Sequence, residues 1–386
     1  MLKHLTDSFL KNRQSRAIGA SFFSIGFLFG TWATFIPFVK DKFGLNDADL
    51  GLILLSMPLG ALTANMIGAW LVSKLGMKTT TVGSMIGMAL AFLIPINAPS
   101  IYFIPPGLYL CGAGISITNI AQNMGVTSIE SHQKINIMST CHGMFSVGLM
   151  LGSLLASIGR GAGILPGSYM LGISVLVIVL AFSVKSTIFK IQEEESQVGQ
   201  KSRFFIPKGA FLIMILIGVC GNIVEGTMAD WTSVYMRDVV KSSPYFVGWG
   251  LSGYSLFMAL GRLYGDSLIP KLGANKVLTA GGLLSAAGLL LAIFLPMVWT
   301  SIVGFAMVGA GVSCAAPILY GSAARVPGVS KSNGLAILNT FAMGGFMVGP
   351  VLIGFISEAT SLSIALGVVT FLALIWMYLS RTVKLY

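Results

Sequence analysis

Twelve apolar stretches, each about 20 residues long, follow one another along the chain. They centre near Phe27, Leu62, Met88, Gly114, Val147, Val177, Gly218, Leu256, Ser285, Gly311, Phe346 and Leu372. A helix rises about 1.5 Å per residue, so each stretch can cross a hydrocarbon layer about 30 Å thick. Lipid offers no partner for a backbone N–H or C=O, and a lipid-facing strand edge would leave both unpaired. The fold class expected is therefore an all-α membrane protein with twelve transmembrane helices. Of the 386 residues, 55% are hydrophobic and only 10% charged, which rules out an ordinary soluble domain. All of the 24 Lys and Arg except Lys40, Lys42, Arg160, Arg237 and Lys241 fall on one side of this threading. The positive-inside rule then places both termini in the cytoplasm. The net charge of +11 reports that topology; no soluble basic patch with interleaved aromatics suggests nucleic acid. Lys3, Lys11, Arg13 and Arg16 precede a first span too long for the core of a cleavable signal.

A period of half the chain runs through the sequence. Gly68–Gly76 and Gly265–Gly273 both read G-x-x-L-[VI]-x-K-L-G, a shift of 197 residues. The same shift pairs Gly51 with Gly248, GAGIS from Gly112 with GAGVS from Gly309, and Lys134 and Asn136 with Lys331 and Asn333. It also pairs Gly148 and Gly152 with Gly345 and Gly349, while GTWA from Gly30 meets GTMA from Gly226 at 196. Register kept over so many separate places predicts two six-helix bundles duplicated in parallel. The expected layout is a cytoplasmic segment over residues 1–16, a first bundle over 17–185, a cytoplasmic linker over 186–207, a second bundle over 208–380 and a tail over 381–386. The linker carries Glu193, Glu194 and Glu195 and reads as a solvated connection.

The seventh stretch holds Glu225 and Asp230. A carboxylate taken out of water costs several kcal/mol, so an intramembrane acid is a functional-site hypothesis by default. Glu225 lies roughly 26 Å along the helix from Lys208, inside the hydrocarbon layer, and Asp230 lies nearer the outer boundary. Gly218, Asn222 and Glu225 share one helical face, as spacings of four and seven require. On the fourth stretch Ser116, Asn119, Asn123, Thr127 and Glu130 form one polar stripe, which either binds solute or hydrogen-bonds between helices. His142 carries the one side chain type that ordinarily changes charge near neutral pH, so it is either a proton carrier or a packed hydrogen-bond partner. The 197 shift sets it opposite Asn339. Cys111, Cys141, Cys220 and Cys314 sit in apolar stretches without a CxxC, so neither disulfides, a metal site nor any other cofactor is expected. No HExxH, GxSxG in context or comparable nucleophile signature points to an enzyme.

These features resemble the major facilitator superfamily, whose twelve-helix, two-half plan covers the whole chain. The turn between the second and third stretches is similar to the superfamily's G-x-L-x-D-R-x-G-R-R signature. Gly76 holds the second glycine position, Ala69 replaces the first glycine, Ser73 the aspartate, Lys74 the arginine and Met77-Lys78 the basic pair. The resemblance implies a cytoplasmic gate at Lys74 and Lys78, to which Arg262 and Asp266 could contribute from the second half. A nearer likeness is to the bacterial YbjJ-type permeases, a branch related to the fucose permease. It rests on EGTMADWTSVYMRD from Glu225, GRLYGD from Gly261, APILYGSAARVPGVS from Ala316 and GFISEATS from Gly354. Those relatives place carboxylates in helices 1 and 4, whereas Thr31, Thr34, Asn119, Gln122 and Asn123 stand here, so their proton and sugar chemistry does not carry over residue by residue.

The resemblance implies a secondary transporter of the bacterial inner membrane, working as a monomer on a small polar metabolite such as a sugar or sugar derivative. Alternating access coupled to proton symport is expected, with Glu225, Asp230 and His142 on the proton path. Asn222, Asn119, Gln122, Asn123, Asn339, Thr31, Trp32 and Tyr254 are the expected solute-binding residues. Trp32 and Tyr254, like Trp231, could stack on a sugar ring or instead belong to the interfacial belt of aromatics near helix ends. The alternative function is proton-driven export of an amphipathic compound or drug.

Overall fold

The computed structural model describes residues 5–192, 207–327, 329–383 and 385, and every regular element among them is a helix. The chain divides into two compact units, Met1–Gly44 with Ser56–Val198, and Leu45–Leu55 with Gly199–Tyr386. Most of the expected linker, residues 193–206, lies outside the described residues.

The first unit contains α1 (Arg13–Lys42), the larger part of α2 (Asp47–Leu75), α3 (Met77–Asn97), α4 (Ile104–Gln133), α5 (Met138–Gly161) and α6 (Pro166–Ile188). The second contains α7 (Gly209–Asp238), α8 (Trp249–Leu272), α9 (Ala274–Phe294), α10 (Val298–Ala323), α11 (Lys331–Ala359) and α12 (Leu362–Thr382). Eleven helices among the described residues are long and apolar enough to cross a membrane. The remaining expected crossing, α8, has 24 residues and takes polar character from Arg262, Asp266 and Lys271.

Local chemistry sets the helix ends. The Asn12 side chain caps α1, accepting from the N–H groups of Gln14 at 3.0 Å and Ser15 at 3.2 Å. Glu130, at the end of the polar stripe on α4, accepts from the N–H groups of Ile137 (2.6 Å) and Met138 (2.8 Å) and so caps α5. The α2–α3 turn passes through Gly76 at φ 80°, ψ 151°, and the α8–α9 turn through Gly273 at φ 86°, ψ 145°. That region of backbone space is essentially closed to residues with a Cβ, which explains why both repeats keep a glycine there.

The duplication also governs packing within each unit. A Cβ on Gly112 would strike the Met57 carbonyl oxygen, and one on Gly309 the Tyr254 carbonyl oxygen. Both members of each contact are 197 residues apart in the other repeat. Likewise Gly148 faces the Phe23 carbonyl, and Gly345 the Val219 carbonyl. Small residues at these points let backbones approach where lipid supplies no hydrophobic drive for helix association.

In the first unit a core forms around Ile18, Phe22, Met77, Met85, Val126 and Cys141. Large apolar side chains such as Met66, Trp70, Phe182 and Phe371 stay 59–80% exposed. In water such a surface would aggregate; in lipid it is the expected outer face.

The start of α2 departs from the expected layout. Residues 45–55 were expected in the first bundle, yet they cluster with the second unit, and α2 breaks at Leu55 into Asp47–Leu54 and Ser56–Leu75. Gly51 and Gly354 allow Asp47–Leu54 to lie directly on α11, since a Cβ on Gly51 would stand 2.6 Å from the Pro350 carbonyl oxygen. The Asp47 N–H donates to Glu358 Oε2 at 3.0 Å, and Ser357 Oγ donates to the Asp47 carboxylate.

Candidate functional site

Inside the second unit, residues of α7, α8, α10 and α11 line a partly open cavity of about 220 Å³. From α7 come Gly218, Gly221, Asn222 and Glu225, the face that the sequence spacing picks out. The two glycines keep that wall thin, so the longer side chains of Asn222 and Glu225 stand out from it. From α8 comes Arg262, and from α10 the residues around a joint at Ser313 and Cys314, where the helix splits into Val298–Val312 and Ala315–Ala323. Tyr320 follows on the second piece, and α11 contributes Asn339 with apolar neighbours including Phe346.

The polar groups of the cavity are arranged in pairs. Arg262 Nη2 lies 3.9 Å from Glu225 Oε1, with the two side chains 19% and 28% exposed respectively. That separation exceeds the roughly 2.7–2.9 Å of a direct charge-assisted hydrogen bond, so the two charges attract without closing on each other. Tyr320 Oη donates to Asn339 Oδ1 at 2.7 Å, and Asn222 Nδ2 donates to the Ala342 carbonyl at 2.7 Å. These bonds fix both amides. They occupy the carbonyl oxygen of Asn339 and one N–H of Asn222. A site so lined offers hydrogen-bond donors and acceptors to a polar solute; among the described residues no cluster of His, Cys, Asp or Glu could hold a metal ion.

The structure brings together Asn222, Glu225, Arg262 and Asn339. Arg262, expected at the cytoplasmic gate, stands beside Glu225, and the Asp266 side chain lies outside the described residues. Asp230 is half-buried further along α7 and does not line the cavity. In the first unit Asn123 Nδ2 donates to Asn119 Oδ1 at 2.6 Å, and both side chains are half-buried. His142 is half-buried with its ring edge-on to Phe22, 5.1 Å between centroids. Lys74 lies over the exposed Trp70 ring at 5.2 Å, a surface cation–π contact, and Lys78 is half-buried at the start of α3.

Four expected solute contacts are almost wholly buried in this structure. Thr31 is fully buried and donates to the Phe27 carbonyl of its own helix at 2.8 Å. Gln122, 1% exposed, accepts from Ser21 Oγ at 2.9 Å between α4 and α1. Trp32 and Tyr254 are each 1% exposed, packed as large core side chains. Tyr254 nonetheless stands in the field of both Glu225 and Arg262. Tyr320 was absent from the expected set, although the 197 shift pairs it with Asn123.

The sequence profile of the Major Facilitator Superfamily matches residues 211–385. An uncharacterized MFS-type transporter of Yersinia pestis is 32% identical over 356 residues, covering 92% of this chain and 91% of that one. Among solved structures, the nucleoside transporter NupG superposes with a TM-score of 0.79 at 12% identity, over 96% of this chain and 99% of that one. The Escherichia coli fucose:proton symporter FucP gives 0.62 at 16% identity, over 95% and 97%. At such identities the solved structures speak for the fold alone, and the sequence relative for the lineage. The chain belongs to the major facilitator superfamily and is a multi-pass membrane transporter.

Proposed function

We propose that this transporter carries a small polar metabolite across the bacterial inner membrane by alternating access, in symport with protons, with both termini cytoplasmic. The observation that carries the reading is Glu225, a carboxylate in mid-helix that lines a cavity beside one guanidinium and two oriented amides. An acid held at that depth needs a nearby cation or a proton to offset its cost, and alternation between the two states during the cycle would couple transport to protons. The fold is shared with the fucose:proton symporter FucP and with the nucleoside transporter NupG, both of which move small polar solutes.

The test is a thermal-shift screen of the purified protein against a metabolite panel and a panel of amphipathic drugs, at two pH values. A ligand that prefers the folded state raises apparent stability. The reading expects hits among small polar metabolites, stronger at the lower pH. Hits confined to the drug panel overturn it.

A further inference from the structure

We propose that α10 is hinged at Ser313–Cys314, and that turning about this joint moves α8 and α9 against α11 and so opens and closes the cavity beside Glu225. The hinge goes beyond the reading above and depends on neither the solute nor the coupling ion. Its cause is chemical. Pro317 has no N–H to give the Ser313 carbonyl four residues back, and its ring crowds that carbonyl. The first piece of α10 therefore stops at Val312 and the second starts at Ala315, with the Ile318 N–H donating to the Cys314 carbonyl at 3.2 Å. The 197 shift pairs Pro317 with Ile120, and there α4 runs unbroken from Ile104 to Gln133. The break is thus particular to the second unit, where Val312, Ala315 and Ala316 on either side of it line the cavity. Ser313 follows fifteen helical residues, roughly 22 Å along the helix, which sets the joint inside the hydrocarbon layer. Irregular backbone persists at that depth only within protein or along a cavity.

The two pieces of α10 are held by different neighbours. In the first piece, Gly304 and Gly311 meet the Gly288 and Gly281 carbonyls of α9, and Gly309 meets the Tyr254 carbonyl of α8, each too closely for a Cβ. In the second piece, Tyr320 Oη donates to Asn339 Oδ1 of α11 at 2.7 Å, and Gly334 of α11 makes room for the Ala323 carbonyl. α11 is in turn tied to α7, where Asn222 Nδ2 donates to the Ala342 carbonyl and Gly345 faces the Val219 carbonyl. At the joint, a Cβ on Gly261 of α8 would strike Ser313 Oγ, and Cys314 Sγ lies 3.6 Å from the Gly261 carbonyl. Towards the far end of α7, Tyr235 fastens both groups of helices. Its Oη donates to the Ala292 carbonyl of α9 at 2.8 Å, and its ring stands edge-on to Phe305 of the first piece at 5.7 Å. Pinned there, the two groups swing most at the opposite ends, where α8 finishes and α11 begins. Shifts of packed helices of this kind run to about 1–2 Å or more. Glu225 belongs to one group and Arg262 to the other, so their 3.9 Å separation changes as the joint turns.

Pulsed electron spin resonance on the purified full-length protein measures the motion without a solute. Spin labels go on Lys271→Cys of α8 and Ala336→Cys of α11, both exposed positions. The control pair, Leu283→Cys of α9 and Val303→Cys of the first piece of α10, is also exposed and lies within one group. The four native cysteines are buried, and the chain without added cysteines, carried through the same labelling, sets their background. The α8–α11 pair should give a broad or two-peaked distance distribution, and the control pair a single narrow one. Pro317→Ala supplies the missing N–H and should collapse the α8–α11 distribution to one narrow peak while leaving the control unchanged. Should that variant aggregate, Gly261→Ala serves, because its methyl displaces Ser313 and should shift the α8–α11 distances but not the control. An α8–α11 distribution as narrow as the control in the wild type overturns the hinge, and so does one that the substitution leaves unaltered. Either result leaves the symport reading standing, since that reading is decided by the solute screen.

Discussion

The coupling between Arg262 and Glu225 can be measured without knowing the solute. Two unit charges 3.9 Å apart attract by about 4 kcal/mol at an effective dielectric of about 20, and by about 1 kcal/mol in bulk water. The side chains are 19% and 28% exposed, so the environment lies between these limits. A coupling energy of about 2 kcal/mol follows, once solvent screening is allowed for. Wild type, Arg262→Gln, Glu225→Gln and the double variant form the cycle, and unfolding in mixed micelles of rising SDS fraction supplies the four stabilities. Arg262→Gln should cost most, because it leaves a carboxylate without its cation, a loss that reaches about 3–5 kcal/mol in fully buried pairs. Adding Glu225→Gln to it should recover about 2 kcal/mol. Additive effects, with a coupling below about 0.5 kcal/mol, would refute the claim that the two charges act as a unit.

Further outcomes follow from local geometry. Tyr320→Phe removes the 2.7 Å hydrogen bond to Asn339 and should cost about 1 kcal/mol in the same unfolding assay, with weaker solute affinity because the amide is then free to turn. Glu130→Ala leaves the N–H groups of Ile137 and Met138 without their acceptor and should cost about 1–2 kcal/mol, and Glu130→Gln should restore part of it. On α5, Gly148→Ala should destabilise by about 1–3 kcal/mol because its Cβ meets the Phe23 carbonyl. Gly143→Ala on the same helix, with open space at its Cβ, should be neutral or gain up to about 1 kcal/mol.

The duplication was legible because its marks are steric. Gly76 and Gly273 hold a backbone conformation that other residues rarely adopt, and Gly112 and Gly309 meet a carbonyl where no Cβ fits, so both repeats kept them. The face of α7 was legible too, since helical periodicity carries Gly218 and Glu225 to one side. Periodicity says less about which neighbour a face meets. Thr31, Trp32, Gln122 and Tyr254 are expected as solute contacts and lie almost wholly buried here, and the letter of a residue does not tell a side chain packed between helices from one turned toward solute. Arg262 was read by its spacing from Asp266, one turn away, whereas Glu225 lies 37 residues back in the chain and only folding sets them together. Applying the 197 shift to Asn123 would have found Tyr320. Nothing in hydropathy could have shown that Asp47–Leu54 joins the second unit, since that depends on glycines of two distant helices meeting.

Glu225→Gln in reconstituted vesicles tests the proton coupling most directly, once a solute is in hand. With an imposed pH gradient the wild type should accumulate the solute above its external level. The variant should fail to accumulate it and yet still exchange labelled for unlabelled solute across the membrane. Undiminished accumulation by the variant would remove Glu225 from the mechanism and contradict the account.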